Sequence, residues 1–315
     1  MPFAADVLII GGGPAGLSAA LTLVRQRHTV ILFDSGKSRA LPSLRIHGVL
    51  GSDAKPPREV LQEGRAEVES YEGFTGVDAE VVELKKADVG FEATDDHGRR
   101  YEGRKIILAH GVKDHFPNIE GFHNPFAQGY QSSPSKSHSG ILAVDWIAMP
   151  KFTLHLTHLL SQLTATVTIY THGNTELAAT LETQLDQSTN KTSSVKVDTR
   201  TISRLVLKSS TDTAIELQFT DGTIATEAFL GHAAITKLNA PFAEQLGIDV
   251  NPQTSAEYVV SGPTNKTNVK GVYAAGDAMS MFKVWPNASA SGAVTAAGVA
   301  ITLQEEKWAL DPIFG

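Results

Sequence analysis

Three glycines, Gly11, Gly13 and Gly16, stand as G-x-G-x-x-G between an apolar run, Val7–Ile10, and a helical pattern of Leu17, Ala20, Leu21 and Val24. A second apolar run, Val30–Phe33, follows, and an acid, Asp34, closes it. The chemistry that needs these types at this spacing is dinucleotide binding. Gly11 permits a tight turn, Gly13 lets the backbone approach a pyrophosphate, and Gly16 lets the helix pack close to the sheet. The helix N-terminus then faces the phosphates, and Asp34 accepts hydrogen bonds from ribose hydroxyls. The three glycines alone are a weak signal. Strand, helix, second strand and acid in the right order make a complete βαβ unit. Several histidines could move protons near neutral pH: His47, His110, His115 and His138. His155 and His158 are three apart on one helical pattern, but no third ligand accompanies them, so no metal site is expected. The chain has no cysteine, which removes disulfides, thiolate nucleophiles, zinc–thiolate sites and iron–sulfur clusters together.

The elements around these residues fit a chain of two domains, since 315 residues is about twice a common domain length. Hydrophobic residues make up 42% and charged residues 19%, with a net charge of −7. That balance argues against nucleic acid and against a polybasic membrane-surface protein. No apolar run is long enough to span a bilayer, and a strand near Val7 leaves no room for a signal peptide. A cytoplasmic protein is expected. Helical patterns cover Arg58–Tyr71, Phe152–Leu163 and Ala288–Leu303. Strand patterns cover Val77–Leu84, Gly90–Thr94, Arg99–Gly103, Lys105–Ala109, Ile141–Val144, Val167–Tyr170 and Gly271–Ala275. A meander of Ile202–Lys208, Ala214–Phe219 and Thr223–Leu230 follows the second apolar block. Residues 119–140 read as a loop in which Ser132, Ser133, Ser135, Ser137 and Ser139 crowd together.

Three blocks, GGGPAG at Gly11–Gly16, AHGVKDHFP at Ala109–Pro117 and GVYAAGD at Gly271–Asp277, resemble the thioredoxin-reductase-like flavoproteins. The resemblance covers nearly the whole chain. It implies an α/β protein of two Rossmann-like dinucleotide-binding domains of three-layer ββα type. The FAD domain, residues 1–118 and 241–315, would carry an inserted and degenerate NADPH-like domain, residues 119–240. It implies FAD as cofactor, held by Gly11, Gly12, Gly13, Pro14, Ala15, Gly16, Asp34, Ser35, Arg39, His47, Val82, Ala109, His110, Gly111, Gly276, Asp277, Asn287 and Ala288. In that family Asp277 would meet a ribityl hydroxyl, and the helix starting at Pro286, Asn287 and Ala288 would aim its N-terminus at the flavin. His110 departs from the usual Ala-Thr-Gly of the second block. A homodimer is implied as well.

SLRIHGVLG at Ser43–Gly51, SGILAV at Ser139–Val144, VTIYTHG at Val167–Gly173 and AEQLG at Ala243–Gly247 resemble a narrower branch, the fungal gliotoxin- and holomycin-type dithiol oxidases. That branch implies FAD with molecular oxygen, not NADPH, as acceptor, and a C-x-x-C pair over the flavin. Here the corresponding region, within Gly129–Gly140, reads GYQSSPSKSHSG. A serine hydroxyl forms neither a mixed disulfide nor a charge-transfer thiolate, so dithiol oxidation by the family route is closed. The second nucleotide motif is also missing. After Ile141–Val144 stand Asp145, Trp146, Ile147, Ala148, Met149 and Pro150, with no glycine between Gly140 and Gly173.

The catalytic candidates are His47, in a segment that passes near the flavin in relatives, and His138, beside Lys136 in the serine-rich loop. Each has a bland reading: His47 as a cofactor or backbone contact, His138 as part of a solvated loop. Trp285 and Phe282 could wall a pocket or simply pack. The expected activity is an FAD-dependent oxidase acting on a small specialised metabolite, with molecular oxygen as the second substrate. Two alternatives stand beside it, a redox-neutral cyclase or isomerase scaffolded by FAD and a non-catalytic flavoprotein.

Overall fold

In a computed structural model the chain is described at residues 5–122, 138–187, 194–207 and 214–314. It divides into two units: Met1–Leu41, Arg45–Lys113 and Thr236–Gly315 form the first, and Pro42–Leu44 with Asp114–Ile235 the second.

The first unit opens with β1 (Ala5–Ile10), α1 (Pro14–Arg25) and β2 (Val30–Phe33), the βαβ unit read from the sequence. α2 (Pro57–Glu69), β3 (Phe74–Val77), β4 (Val81–Lys86), β5 (Phe91–Asp95) and β6 (Arg100–Leu108) follow. The expected strand Val77–Leu84 is two strands. Alternation continues across Asp78, but the backbone turns there, with the Ala79 N–H donating to the Val77 carbonyl at 3.1 Å. β3 then pairs parallel with β2, whereas β4 pairs antiparallel with β5. The sheet order is β3-β2-β1-β6-β5-β4, and the short strand Val272–Ala274 pairs parallel with β6. β6 is long enough to belong to both halves of the sheet. Its first residues pair with the β5 meander, and its last pair with β1.

The C-terminal helix, Trp285–Trp308, packs on α1. It begins three residues before the expected start because Pro286, which lacks an N–H to lose, is tolerated in the first turn. Its small residues set the approach. A Cβ on Gly292 would lie 2.1 Å from the Ala15 carbonyl oxygen, so only glycine admits this packing. Ala288, Ala296, Val299 and Leu303 join Leu17, Ala20, Leu23 and Val24 in one apolar core.

The second unit repeats the plan. Its parallel sheet runs in the order Ser194–Asp198, Thr166–Tyr170, His138–Leu142, Leu230–Gly231. The antiparallel meander is Ile202–Leu207, Ile215–Phe219 and Ile224–Glu227, and the helices are Pro150–Leu160 and Thr175–Asp186. Two parallel sheets, each with a meander and helices, are the α/β architecture of paired Rossmann-like domains. No helix among the described residues is long and apolar enough to cross a membrane.

Candidate functional site

In an open α/β sheet the ligand crevice lies outside the carboxyl ends of the strands, where the strand order reverses. In the first unit that point falls between β1 and β6, whose ends carry Gly11 and Ala109–Gly111. The two turns press together. A Cβ on Gly11, which sits at φ +114°, would lie 2.4 Å from the Ala109 carbonyl oxygen and 2.8 Å from the His110 Cα. A Cβ on Gly16 would lie 1.8 Å from the Gly11 carbonyl oxygen, and one on Gly12 would strike the Asp34 carboxylate at 2.3 Å. Gly13 is different: its Cβ direction meets nothing within 4 Å. The glycines that lock the turn and the glycine that faces open space are therefore distinct.

α1 starts at that open face with Gly13 as its N-cap, Pro14 in the first turn, no side-chain cap and no acid in the first turn. Its first N–H groups are left for an anion. Asp34 ends β2, where one carboxylate oxygen accepts the Gly36 N–H at 2.9 Å. Beside it lies an open cavity of about 250 Å³, lined by Asp34, Ser35, Gly36, Asp78, Ala79 and Glu80 among others. Val82 is not among its lining residues. Its side chain is exposed, and its carbonyl accepts from Gln245 Nε2 at 3.2 Å.

The Gly276–Asp277 turn is brought to the same unit from the far end of the chain. Gly276 adopts φ +71°, and its N–H donates to the Ser291 hydroxyl at 2.9 Å. The Asp277 carboxylate receives Arg39 Nη2 at 2.8 Å, joining two segments that the sequence reading placed on the cofactor separately. Asn287 lies in the first turn of the C-terminal helix and donates to the Ser280 hydroxyl and the Phe282 carbonyl, both at 2.9 Å. Ala288 is buried against the core at that helix start, and a Cβ on Gly276 would lie 3.8 Å from its methyl carbon.

His110 turns its ring inward. Nε2 sits 2.9 Å from the Tyr258 hydroxyl, Phe242 packs edge-on at 5.4 Å, and burial pushes its pKa down to about 4. It is a neutral packing and hydrogen-bonding group. Gly111 reverses the chain at φ +69°, with open space at its Cβ direction.

His47 stands on a loop closed by paired backbone bonds, Ile46 N–H to Lys55 O at 2.9 Å and Ala54 N–H to Ile46 O at 2.8 Å. Ile46 is buried and anchors the loop, whereas the His47 side chain is 46% exposed. Its Nδ1 faces Asp53 Oδ1 at 3.5 Å, and that oxygen also accepts the Gly48 N–H at 2.8 Å. Asp53 is a partner that no motif announced.

The second unit holds His138 at the first position of its strand, Nδ1 2.9 Å from Glu227 Oε2. Glu227 is buried, and its other oxygen accepts the Tyr170 hydroxyl at 2.6 Å, a contact that with burial holds the phenol well above its usual range. The cluster lies at the amino end of the parallel strand, opposite the crevice end. Lys136 and Ser132, Ser133, Ser135 and Ser137 lie outside the described residues.

At the crevice end of this unit the strand order reverses between His138–Leu142 and Leu230–Gly231. Where a nucleotide site needs its first glycine, Asp145 takes the left-handed conformation at φ +52°. A 3₁₀ turn, Asp145–Ala148, then sinks Ile147 into the core, and Thr153 hydrogen-bonds its carbonyl. Across the gap His232, buried, lies 3.8 Å from the Asp145 carboxylate and bonds the Leu142 carbonyl through Nδ1 at 3.2 Å. Neither Asp145 nor His232 was singled out by the sequence reading as a partner of the other.

The glycine cradle of the first unit, with an uncapped helix and an acid-lined cavity beyond it, fits a bound dinucleotide. The family model for pyridine nucleotide-disulphide oxidoreductases matches residues 5–140. The chain is 37% identical over 306 residues to thioredoxin reductase aclD of Aspergillus oryzae, covering 93% of this chain and 95% of that protein. It is 35% identical over 303 residues to thioredoxin reductase tcpT of Claviceps purpurea, covering 92% and 91%. Among solved structures, an oxidoreductase from Agrobacterium tumefaciens superposes with a TM-score of 0.80 at 27% identity, covering 98% of this chain and 99% of that one. The glycine cradle, the repeated ββα plan and similarity to these relatives over nearly the full length place the chain in the thioredoxin-reductase-like flavoproteins of the pyridine nucleotide-disulphide oxidoreductase family, with FAD as its cofactor.

Proposed function

We propose that the protein is an FAD-dependent oxidase of a small specialised metabolite, with molecular oxygen as electron acceptor. The observation that carries this reading is the contrast between the two crevices. In the first, Gly13 faces open space; in the second, the Asp145–Ala148 turn replaces a glycine loop, and the His232 imidazole lies 3.8 Å from the Asp145 carboxylate. A carboxylate and a buried side chain stand where a second pyrophosphate would need bare backbone. With no cysteine in the chain, no protein disulfide carries electrons either. The metabolite itself is left as donor, and oxygen as acceptor. Bound FAD supplies a two-electron acceptor. The substrate loses two electrons and two protons, which oxygen takes up to leave as hydrogen peroxide.

The chain's own residues then have three tasks. Gly11–Gly16, Asp34, Arg39 and Asp277 bind and orient the cofactor. His47 takes the proton at Nε2, the ring nitrogen that does not face Asp53, while Asp53 orients the ring. His138, oriented in the same manner by Glu227, is the second candidate for that role. The names of the fungal relatives, aclD and tcpT, together with a branch resemblance confined to specialised metabolism, support a biosynthetic role. Anaerobic mixing with oxidisable metabolites, while following flavin colour, tests the reading. Bleaching that is reversed by oxygen with release of peroxide supports it. Conversion of substrate with unchanged colour replaces it by the redox-neutral alternative.

A further inference from the structure

Lys283 and Glu257 form a nearly buried ion pair that no motif announced. Their side chains are 13% and 10% exposed, and Nζ lies 2.7 Å from Glu257 Oε1. The ammonium has three protons to donate, and three acceptors surround it. Besides Glu257 they are the Ser280 carbonyl at 2.8 Å and the Asp277 carbonyl at 3.3 Å. Glu257 is in turn fixed, because Thr254 donates to its second oxygen and its own carbonyl accepts the Asn251 N–H at 2.8 Å. The next residue, Tyr258, donates its N–H to the Ala278 carbonyl at 2.7 Å and reaches His110 with its hydroxyl. The strap 254–258 therefore holds the turn at residues 277–278 through its backbone. Arg39 holds the Asp277 carboxylate.

The geometry points to Lys283, held by Glu257, as a positioning residue for the FAD-binding turn at Gly276–Asp277. A free Asp277 carbonyl in this partly buried setting would leave the peptide plane able to rotate, and with it the carboxylate that Arg39 orients. An ammonium with all its protons committed fixes that plane. The inference rests on FAD binding alone and is independent of which molecule accepts the electrons.

A purely structural ion pair makes a different forecast, which is what allows a test. Replacing both members of a buried pair by apolar residues of similar size is often neutral for stability, whereas removing one member strands the other. Apoprotein of the wild type, Lys283→Met and Lys283→Met/Glu257→Leu is prepared, and its melting temperature and its FAD dissociation constant are measured by flavin fluorescence. Lys283→Met is expected to lower the melting temperature and weaken FAD by about tenfold or more. The double variant is expected to recover the melting temperature but not the affinity, because the Asp277 carbonyl still lacks its donor. Recovery of both together, or FAD binding within about twofold of wild type in either variant, overturns the proposal. If Lys283→Met does not fold, the double variant alone decides.

Discussion

At the scale of single residues the cofactor turn separates glycines by task. Gly16 has backbone against its Cβ direction, so Gly16→Val removes the fold along with the flavin. Gly13 has ordinary helix-cap dihedrals, φ −76° and ψ −174°, and nothing nearby, so Gly13→Val is expected to fold and yet bind no FAD. Circular dichroism and the flavin spectrum of the purified variants check both halves. His47→Ala is expected to retain FAD and lose about 10²–10⁴ in turnover, the usual weight of a general base. Wild-type turnover in that variant would pass the role to His138. His110 gives a pH effect instead. Its folded pKa of about 4 lies below the ordinary 6.5, so the unfolded chain binds the extra proton first. Stability is full above about 6.5 and falls as pH drops toward 4, by roughly 3 kcal/mol from this group. His172 and His232 are shifted in the same direction and add to the slope. Urea unfolding between pH 7 and pH 4.5 should show a shallower decline in His110→Gln. The sequence makes the glycines legible because each acts through a local backbone constraint. It hides Asp53, Glu257 and Lys283, because their partners are set by loop closure and by contacts across the fold.

At the scale of elements, β1, α1 and β2 were readable from periodicity, since apolar runs, the glycine turn and the acid occur within one short stretch. The strand Val77–Leu84 was misread because alternation says nothing about a change of partner at Asp78. The missing second motif was also legible. The approach of His232 to Asp145 was not, because those residues are far apart in sequence. A crevice with this turn in place of a glycine loop is expected to hold no pyridine nucleotide. Stopped-flow mixing of the FAD-loaded protein with NADPH or NADH is expected to show negligible flavin reduction. Reduction at ~1 s⁻¹ or faster, the scale of enzyme turnover, would mean that the turn at Asp145–Ala148 opens.

For the whole molecule, two units of the same plan differ in the turn that opens each crevice. The first keeps a cradle for one dinucleotide. The second keeps the sheet and meander, but Asp145, at φ +52°, stands where the first has Gly11. On the proposed reading, a chain without cysteine and without a second nucleotide motif exchanges electrons directly between bound cofactor and small molecules. On the same reading, one of those molecules is oxygen. That reading is tested most directly by reducing the FAD-loaded protein anaerobically with light, mixing it with oxygenated buffer, and following flavin absorbance and peroxide together. Return of the oxidised spectrum is expected at ~1 s⁻¹ or faster, the scale of enzyme turnover, with one peroxide released per flavin. A reduced spectrum that persists for minutes in air would contradict that reading.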